Sequence, residues 1–463
     1  MNDTSSRIDV KVCTDVSRPR DQGHIYVRAQ QGRWQRLRRQ LGWGLMLLFL
    51  AGPWLRWNGA QAILLDWEAQ RFHLFGMTIW PQDLTLLALL LMVAAFALFF
   101  ITAWLGRVWC GYLCPQTVWT FWFIWVEEKL EGSANRRRRR DQEAWSVDTL
   151  LRKGGKHLIW WLIALLSGFS FIAYFTPATE LATGLLTGSA GAWPTFWVLL
   201  FALCTYLNAG WMRTLMCTHM CPYSRFQSAM FDADTLSAAY DAGRGEARGP
   251  RARKADHRAQ GLGDCIDCNL CVQVCPAGID IRDGLQYECI NCGACIDACD
   301  QTMNRMGYPL GLIRYASENE LAGQGVTRRR LRMWAYAAVM VAMLGLMLAA
   351  ALLREPLALE VLRDRNELYR ETLSGRIENT YTLKVANKTQ QPQTILLEVE
   401  GLVQPDWRGQ RQWQLAPGEM RLVPVSLSVA DGSLIRPVQA IEFVVRHRGD
   451  EVRTDSRFFG PRP

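Results

Sequence analysis

Five apolar runs interrupt an otherwise charged chain: Leu41–Trp57, Leu84–Leu105, His157–Thr176, Ala192–Trp211 and Met333–Leu353. A hydrocarbon core of about 30 Å needs about 20 apolar residues as helix, so each run is predicted to be a membrane span. Leu84–Leu105 carries no charge, whereas Leu41–Trp57 is short and holds Pro53. After the last run the period changes. Ile377–Ala386, Thr394–Leu402, Arg421–Val429 and Ile441–Arg446 alternate or are rich in Val, Ile and Leu. Asn387-Lys388-Thr389, Pro417-Gly418, Asp431-Gly432 and Gly449-Asp450 punctuate them as turns. Short strands at regular spacing predict a β-sandwich. It has no cysteine and no histidine cluster, which leaves partner docking or a stabilising cap as its expected role.

The length of 463 residues allows two to four domains. A net charge of +9 raises nucleic-acid binding as a question, and the distribution of that charge rejects it. Arg33, Arg36, Arg38 and Arg39 precede the first run; Arg136–Arg140, Arg152, Lys153 and Lys156 follow the second; Arg328, Arg329, Arg330 and Arg332 precede the fifth. The loop 58–83 has only Arg71, and 177–191 has no Lys or Arg. The positive-inside rule then puts the N-terminus in the cytoplasm and residues 354–463 outside, in the periplasm of a Gram-negative host. The run Arg136–Arg140 is expected to be a solvated loop. Twenty tryptophans, many beside apolar runs, suit the membrane interface. Ala60-Gln61-Ala62 loosely resembles a cleavage site, but the polar stretch before the first apolar run is too long for a signal peptide.

Twelve of the fourteen cysteines fall in four tight clusters, which points to metal or redox chemistry. Residues 241–263, rich in Gly, Arg and Ala, read as a flexible linker. Next come Cys265-x2-Cys268-x2-Cys271-x3-Cys275-Pro276 and Cys289-x2-Cys292-x2-Cys295-x3-Cys299. A cubane takes three thiolates from one tight turn, and in a doubled motif the fourth cysteine of each run serves the other cluster. One [4Fe–4S] cluster is therefore assigned to Cys265, Cys268, Cys271 and Cys299, the other to Cys289, Cys292, Cys295 and Cys275. A structural zinc site, built from separated CxxC pairs and often His, fits poorly. Asp300 stands where the second run would usually have Pro. Gly278, Gly293 and Ala294 are small enough to let backbone approach a cluster, or are ordinary turn residues.

Two further motifs end the second and fourth apolar runs: Cys110-Gly111-Tyr112-Leu113-Cys114-Pro115 and Cys217-Thr218-His219-Met220-Cys221-Pro222. The chain thus repeats a unit of two spans followed by CxxxCP, which places both motifs at one membrane face. Cysteines at i and i+4 share a helix face, and the proline favours a kink or a new helix start. Soft thiolates suit Cu(I) or redox exchange. Met212, Met216, Met220 and His219 could add ligands, although gap-filling methionines and an interfacial histidine are the plainer readings. Whether the four thiols form one site or two is open at this point. Cys204 and Cys13 are expected to have no such role.

Taken together, these features resemble the FixG/CcoG family, accessory proteins for assembly of cbb3-type cytochrome oxidases. The resemblance covers nearly the whole chain. It implies a multi-domain membrane protein: a tail at 1–40, four helices with two CxxxCP motifs at 41–232, a linker at 233–263, a ferredoxin-like 2[4Fe–4S] domain at 264–332, a fifth helix at 333–353 and a periplasmic Ig-like β-sandwich at 354–463. It further implies a cupric reductase of the inner membrane. Cys110, Cys114, Cys217 and Cys221 would handle copper, Cu(I) would serve oxidase assembly, and the protein would act as a homodimer beside assembly factors with a cytosolic electron donor. Two rival readings stand beside it: a quinol-oxidising membrane ferredoxin feeding a periplasmic reductase, and a non-enzymatic copper-binding scaffold.

Overall fold

The structure is a computed structural model. It describes residues 25–461 apart from 69–70, 76, 81–82, 254, 325–330, 354, 365–366, 390, 431, 435 and 448–449. Cys13, Asp431, Gly449 and the arginines Arg328, Arg329 and Arg330 lie outside the described residues. Contacts divide the chain into two units, 1–53 with 89–345 and 54–88 with 346–463.

The helices used below are α1 (Arg33–Ala51), α2 (Leu84–Leu105), α3 (Pro115–Glu131), α4 (Val147–Ile172), α5 (Ala192–Tyr206), α6 (Ala294–Met306) and α7 (Leu331–Leu352). Among the described residues four helices are long and apolar enough to cross a membrane: α2, α4, α7 and α5 with its continuation to Met212. α2 and α7 are apolar all round and almost unburied, as lipid-facing helices are. The expected first span, Leu41–Trp57, is not among these four and falls in the second half of α1. Four arginines occupy the first turns of that helix, and Gly52-Pro53 ends it before Trp57. α4 starts well before the expected His157. Ser146 caps it by accepting the Thr149 N–H at 3.2 Å, and its charged first turns pair Arg152 with Asp148 and Lys156 with Glu131. Against α5, Gly168 is needed: a Cβ there would lie 2.5 Å from the Val198 carbonyl.

The run Arg136–Arg140 is not simply a solvated loop. Arg137 is buried and pairs with Glu127 of α3 at 2.6 Å, while Arg213 takes the other carboxylate oxygen of Glu127 at 2.5 Å. A buried carboxylate needs such partners, and the regular run of charges hides which arginine supplies one. The stretch expected as a flexible linker is folded as well. Ser237–Tyr240 pairs antiparallel with Ile313–Ala316, closing the ferredoxin-like insert. Arg244 pairs with Asp264 at 2.6 Å, and Arg251 donates to the Gly263 carbonyl at 2.6 Å. The composition looked like a linker because its arginines act on backbone carbonyls, which leave no trace in sequence. Ala238, Ile296, Met303, Leu312 and Ile313 form the core of the insert.

The second unit is a β-sandwich. One sheet runs 406–408, 420–430, 376–387, 357–363, and the other 412–415, 393–400, 438–447, 450–459. In Arg376–Asn387 every second residue from Ile377 to Val385 is buried, as a strand with one covered face requires. Tyr381, Leu383, Leu397, Phe443 and Phe458 fill the space between the sheets. Residues 54–88 belong to this unit, where Lys388 binds Asp83 at 2.9 Å.

Candidate redox centre

Each cysteine run of the insert bends around its thiols through two left-handed residues. Asp267 and Asn269 have φ of 54° and 54°, and the equivalent Asn291 and Gly293 have 58° and 71°. Asn, Asp and Gly are the residues that tolerate this conformation, so the turn is written in the letters between the cysteines. Two cavities result. Cys265, Cys268, Cys271 and Cys299 line one, and Cys289, Cys292, Cys295 and Cys275 line the other, with Cys271 at the wall between them. Burial pushes the Cys275 thiol up to about 12, with Cys292 and Cys289 as the next causes. Burial pushes Cys299 up to about 12 too, helped by Cys271 and Cys265. The fourth cysteine of each run therefore sits among the thiols of the other. A buried thiol among thiols keeps its proton until a metal displaces it, and this donor set fits two [4Fe–4S] clusters.

Pro276 follows a short helical turn, Leu270–Gln273, whereas α6 runs on through Cys299 and Asp300 to Met306. Asp300 is where the second run departs from the usual proline, and its Oδ1 accepts the Gly311 N–H at 2.9 Å. It anchors the chain returning from α6.

The CxxxCP motifs share a backbone device. Trp109–Leu113 and Met216–Met220 are π-helical turns. Cys114 and Cys221 then turn extended, with ψ of 127° and 111°, and each caps a new helix whose first residue is the proline. The paired cysteines thus do not share a regular helix face, because proline disfavours helical geometry at the residue before it. Thr117 donates to the Cys110 carbonyl at 2.6 Å, and Ser224, at the same place in the second motif, donates to the Cys217 carbonyl at 2.5 Å. The four thiols are electrostatic neighbours: Cys110 of Cys114 and Cys217, Cys114 of Cys221, and Cys217 of Cys114 and Cys221. Among the described residues no group of three or more His, Cys, Asp or Glu is gathered as a single metal ion needs. Met216 is half-buried, while His219 and Met220 are exposed, with His219 bonded to Thr218 at 2.7 Å. Cys204 is exposed on α5.

Comparison with known proteins adds the family. The 4Fe-4S dicluster domain matches residues 212–318, a 4Fe-4S binding domain matches 84–132, and the IG-like fold at the C-terminal of FixG matches 347–461. Protein RdxA of Cereibacter sphaeroides is 41% identical over 76% of this chain and 77% of its own length. Nitrogen fixation protein FixG of Rhizobium meliloti is 37% identical over 82% of this chain and 79% of its own. The chain belongs to the FixG family. A crystal structure of a FixG-related protein from Vibrio parahaemolyticus matches 23% of this chain and 97% of its own, at 38% identity and a TM-score of 0.22. The resemblance seen in the sequence is therefore correct, and the protein is an iron–sulfur membrane protein of an oxidoreductase family.

In this FixG-family chain the first CxxxCP motif sits directly on the second cysteine run. A Cβ on Gly111 would lie 2.7 Å from the Ile290 carbonyl, so only glycine allows the approach. The Tyr112 hydroxyl contacts the Cys292 carbonyl at 3.4 Å and the Tyr315 hydroxyl at 3.0 Å. Buried Arg107 donates to the Tyr287 carbonyl on one side and to the Ser224 carbonyl at 2.9 Å on the other, joining the insert to the second motif. Asn291 accepts the Ala238 N–H at 2.6 Å and donates to the Leu105 carbonyl at 3.2 Å. Sequence inspection missed Arg107, Gly111, Tyr112 and Asn291. Their one visible signal was position: each lies within or beside a cysteine motif.

Proposed function

We propose that this chain reduces Cu(II) to Cu(I) for the biogenesis of a cbb3-type cytochrome oxidase. The observation that carries the reading is that the thiols of the two CxxxCP motifs lie within electrostatic reach of each other while the first motif rests on the second cysteine run of the insert. Two bound [4Fe–4S] clusters would supply one-electron carriers. Cys110, Cys114, Cys217 and Cys221 would receive copper as substrate. Each Cu(II) takes one electron, and thiolate donors favour the soft Cu(I) product. The thiols would release protons on binding, and at least two would have to draw together around one ion. Arg107 would hold the second motif against the insert while this happens. Met216 is the half-buried accessory donor, and His219 and Met220 would meet the ion on its way in or out.

The basic residues around the insert support a cytoplasmic location for it, and α7 as a crossing would place the sandwich in the periplasm. A homodimer, assembly factors and a cytosolic donor remain part of this proposal. The test is anaerobic. Purified protein with reduced clusters is mixed with Cu(II) and a Cu(I)-selective chromophore. Stoichiometric Cu(I) is expected from the wild type and none from the variant with all four CxxxCP cysteines changed to alanine, whose cluster absorbance is unchanged. Equal Cu(I) from both proteins would sink the reading.

One observation favours a second reading. The 4Fe-4S binding domain match covers 84–132, where the cysteines are Cys110 and Cys114. The four thiols would then hold a third cluster instead of copper. Iron analysis separates the two: about eight iron atoms per chain for two clusters, about twelve for three.

A further inference from the structure

The first unit contains a cavity, separate from the CxxxCP thiols, of about 100 Å³ between α1, α3 and the insert. Its wall is aromatic: Trp43, Phe121, Trp122 and Trp125, with Trp43 and Trp122 at 4.1 Å between ring centroids. Its floor includes Ala294, which also lines the cavity of Cys289, Cys292, Cys295 and Cys275. Trp43 and Trp125 are exposed at 40% and 44% and edge the mouth.

Arg38 projects into this space and is 7% exposed. Its guanidinium lies 3.5 Å over the Phe121 ring, and Nη2 donates to Gln35 Oε1. Nη1 is buried and has no hydrogen-bond partner. Asp297, a carboxylate whose charge acts on it, is already engaged: it accepts the Trp34 and Gln35 N–H groups at 3.2 and 2.7 Å and so caps α1. A buried cation with an unused N–H is an expensive arrangement, and an acceptor oxygen on a ligand would relieve it.

We propose that this cavity binds the head group of a membrane-soluble quinone or quinol. One ring oxygen accepts from Arg38 Nη1, the ring lies against the aromatic wall, and the apolar tail leaves past Trp43 and Trp125. A flat ring that presents one of its two oxygens inward matches an aromatic slot with one buried, unpaired donor. A phosphate head group would want several converging cations. Three arginines line the cavity, but Arg28 is bonded to Gln273 at 3.1 Å, Arg39 is exposed to solvent and Glu128 stands beside them, which leaves Arg38 as the one buried cation inside. The ring would sit one residue, Ala294, from the thiols of the second run. The inference rests on the reductase reading only for its purpose, as the entry point of reducing equivalents.

The test reads binding alone, so its failure leaves the copper assay untouched. Full-length protein with intact clusters, in detergent, is labelled with a tailed azido-benzoquinone and the modified peptides are identified. Label is expected on the segments around Trp43 and Phe121–Trp125, competed by an unlabelled decyl benzoquinone and not by phosphatidylglycerol. Arg38→Gln should weaken competition about tenfold or more, with Arg38→Lys recovering part of it. Gly42 lines the cavity with no atom nearer than 3.8 Å to its Cβ position, so Gly42→Leu should fill the space and block labelling while leaving Arg38 in place. Label elsewhere, displacement by phosphatidylglycerol, or unchanged competition in both Arg38→Gln and Gly42→Leu overturns the proposal.

Discussion

The two CxxxCP motifs have the same π turn, the same extended second cysteine and the same hydroxyl on the first cysteine's carbonyl, yet their surroundings differ. In the first, Gly111 and Tyr112 are buried against the insert. In the second, no residue from Met216 to Met220 is buried, and Met220 is 57% exposed. Position 111 is glycine because backbone approaches it, whereas the equivalent position 218 is a half-buried threonine. A repeated sequence thus builds one device twice, and packing gives the copies different tasks. The first anchors the thiols to the insert, and the second leaves them an open side. An ion arriving from water would meet the second motif.

The comparison breaks most visibly at the thiols. If the four act as one group, Cys110→Ala with Cys114→Ala should abolish Cu(I) formation, at least a hundredfold, and so should Cys217→Ala with Cys221→Ala; combining the pairs should add nothing further. Residual activity near half in either pair would mean two separate sites. The next largest effect is on stability. Glu127 ties Arg213, just before the second motif, to α3, just after the first. Glu127→Ala takes the shared carboxylate from buried Arg137 and half-buried Arg213 and should cost about 3–5 kcal/mol, read from the unfolding midpoint in detergent.

A sharper contrast is steric. Gly111→Val meets the Ile290 carbonyl and should lose about 1–3 kcal/mol with reduced iron content, whereas Thr218→Val should retain wild-type iron and stability. Equal behaviour of the two variants would remove the asymmetry altogether. The smallest effect separates the two hydroxyls. Thr117→Ala should cost about 1 kcal/mol and Ser224→Ala somewhat more, because Ser224 also donates to the Cys221 carbonyl at 2.9 Å and meets the Tyr287 hydroxyl at 2.9 Å.

Much of the architecture was legible without coordinates, since its signals are local. Apolar length marks α2, α5 and α7, alternation marks the strand Arg376–Asn387, and doubled spacing marks which fourth cysteine joins which cavity. Segments whose partners lie far away were misjudged. Residues 241–263 looked loose, and Arg137 looked solvated, because Arg244 donates to the Leu310 carbonyl and Arg137 to the Val27 carbonyl, 66 and 110 residues away.

The sequence alone determined that this protein has membrane spans, a doubled cubane motif and a terminal β-domain. Each follows from residues close in the chain, whose periodicity or spacing is set by helix pitch, strand pleat or thiolate geometry. Only the tertiary structure decided that the thiols of the two CxxxCP motifs come within electrostatic reach of each other, that Gly111 lets the first motif rest on the second cysteine run, and that Arg38 ends in an aromatic cavity with a spare N–H. Those outcomes depend on how helices separated by many residues pack, and no local rule of spacing contains that information.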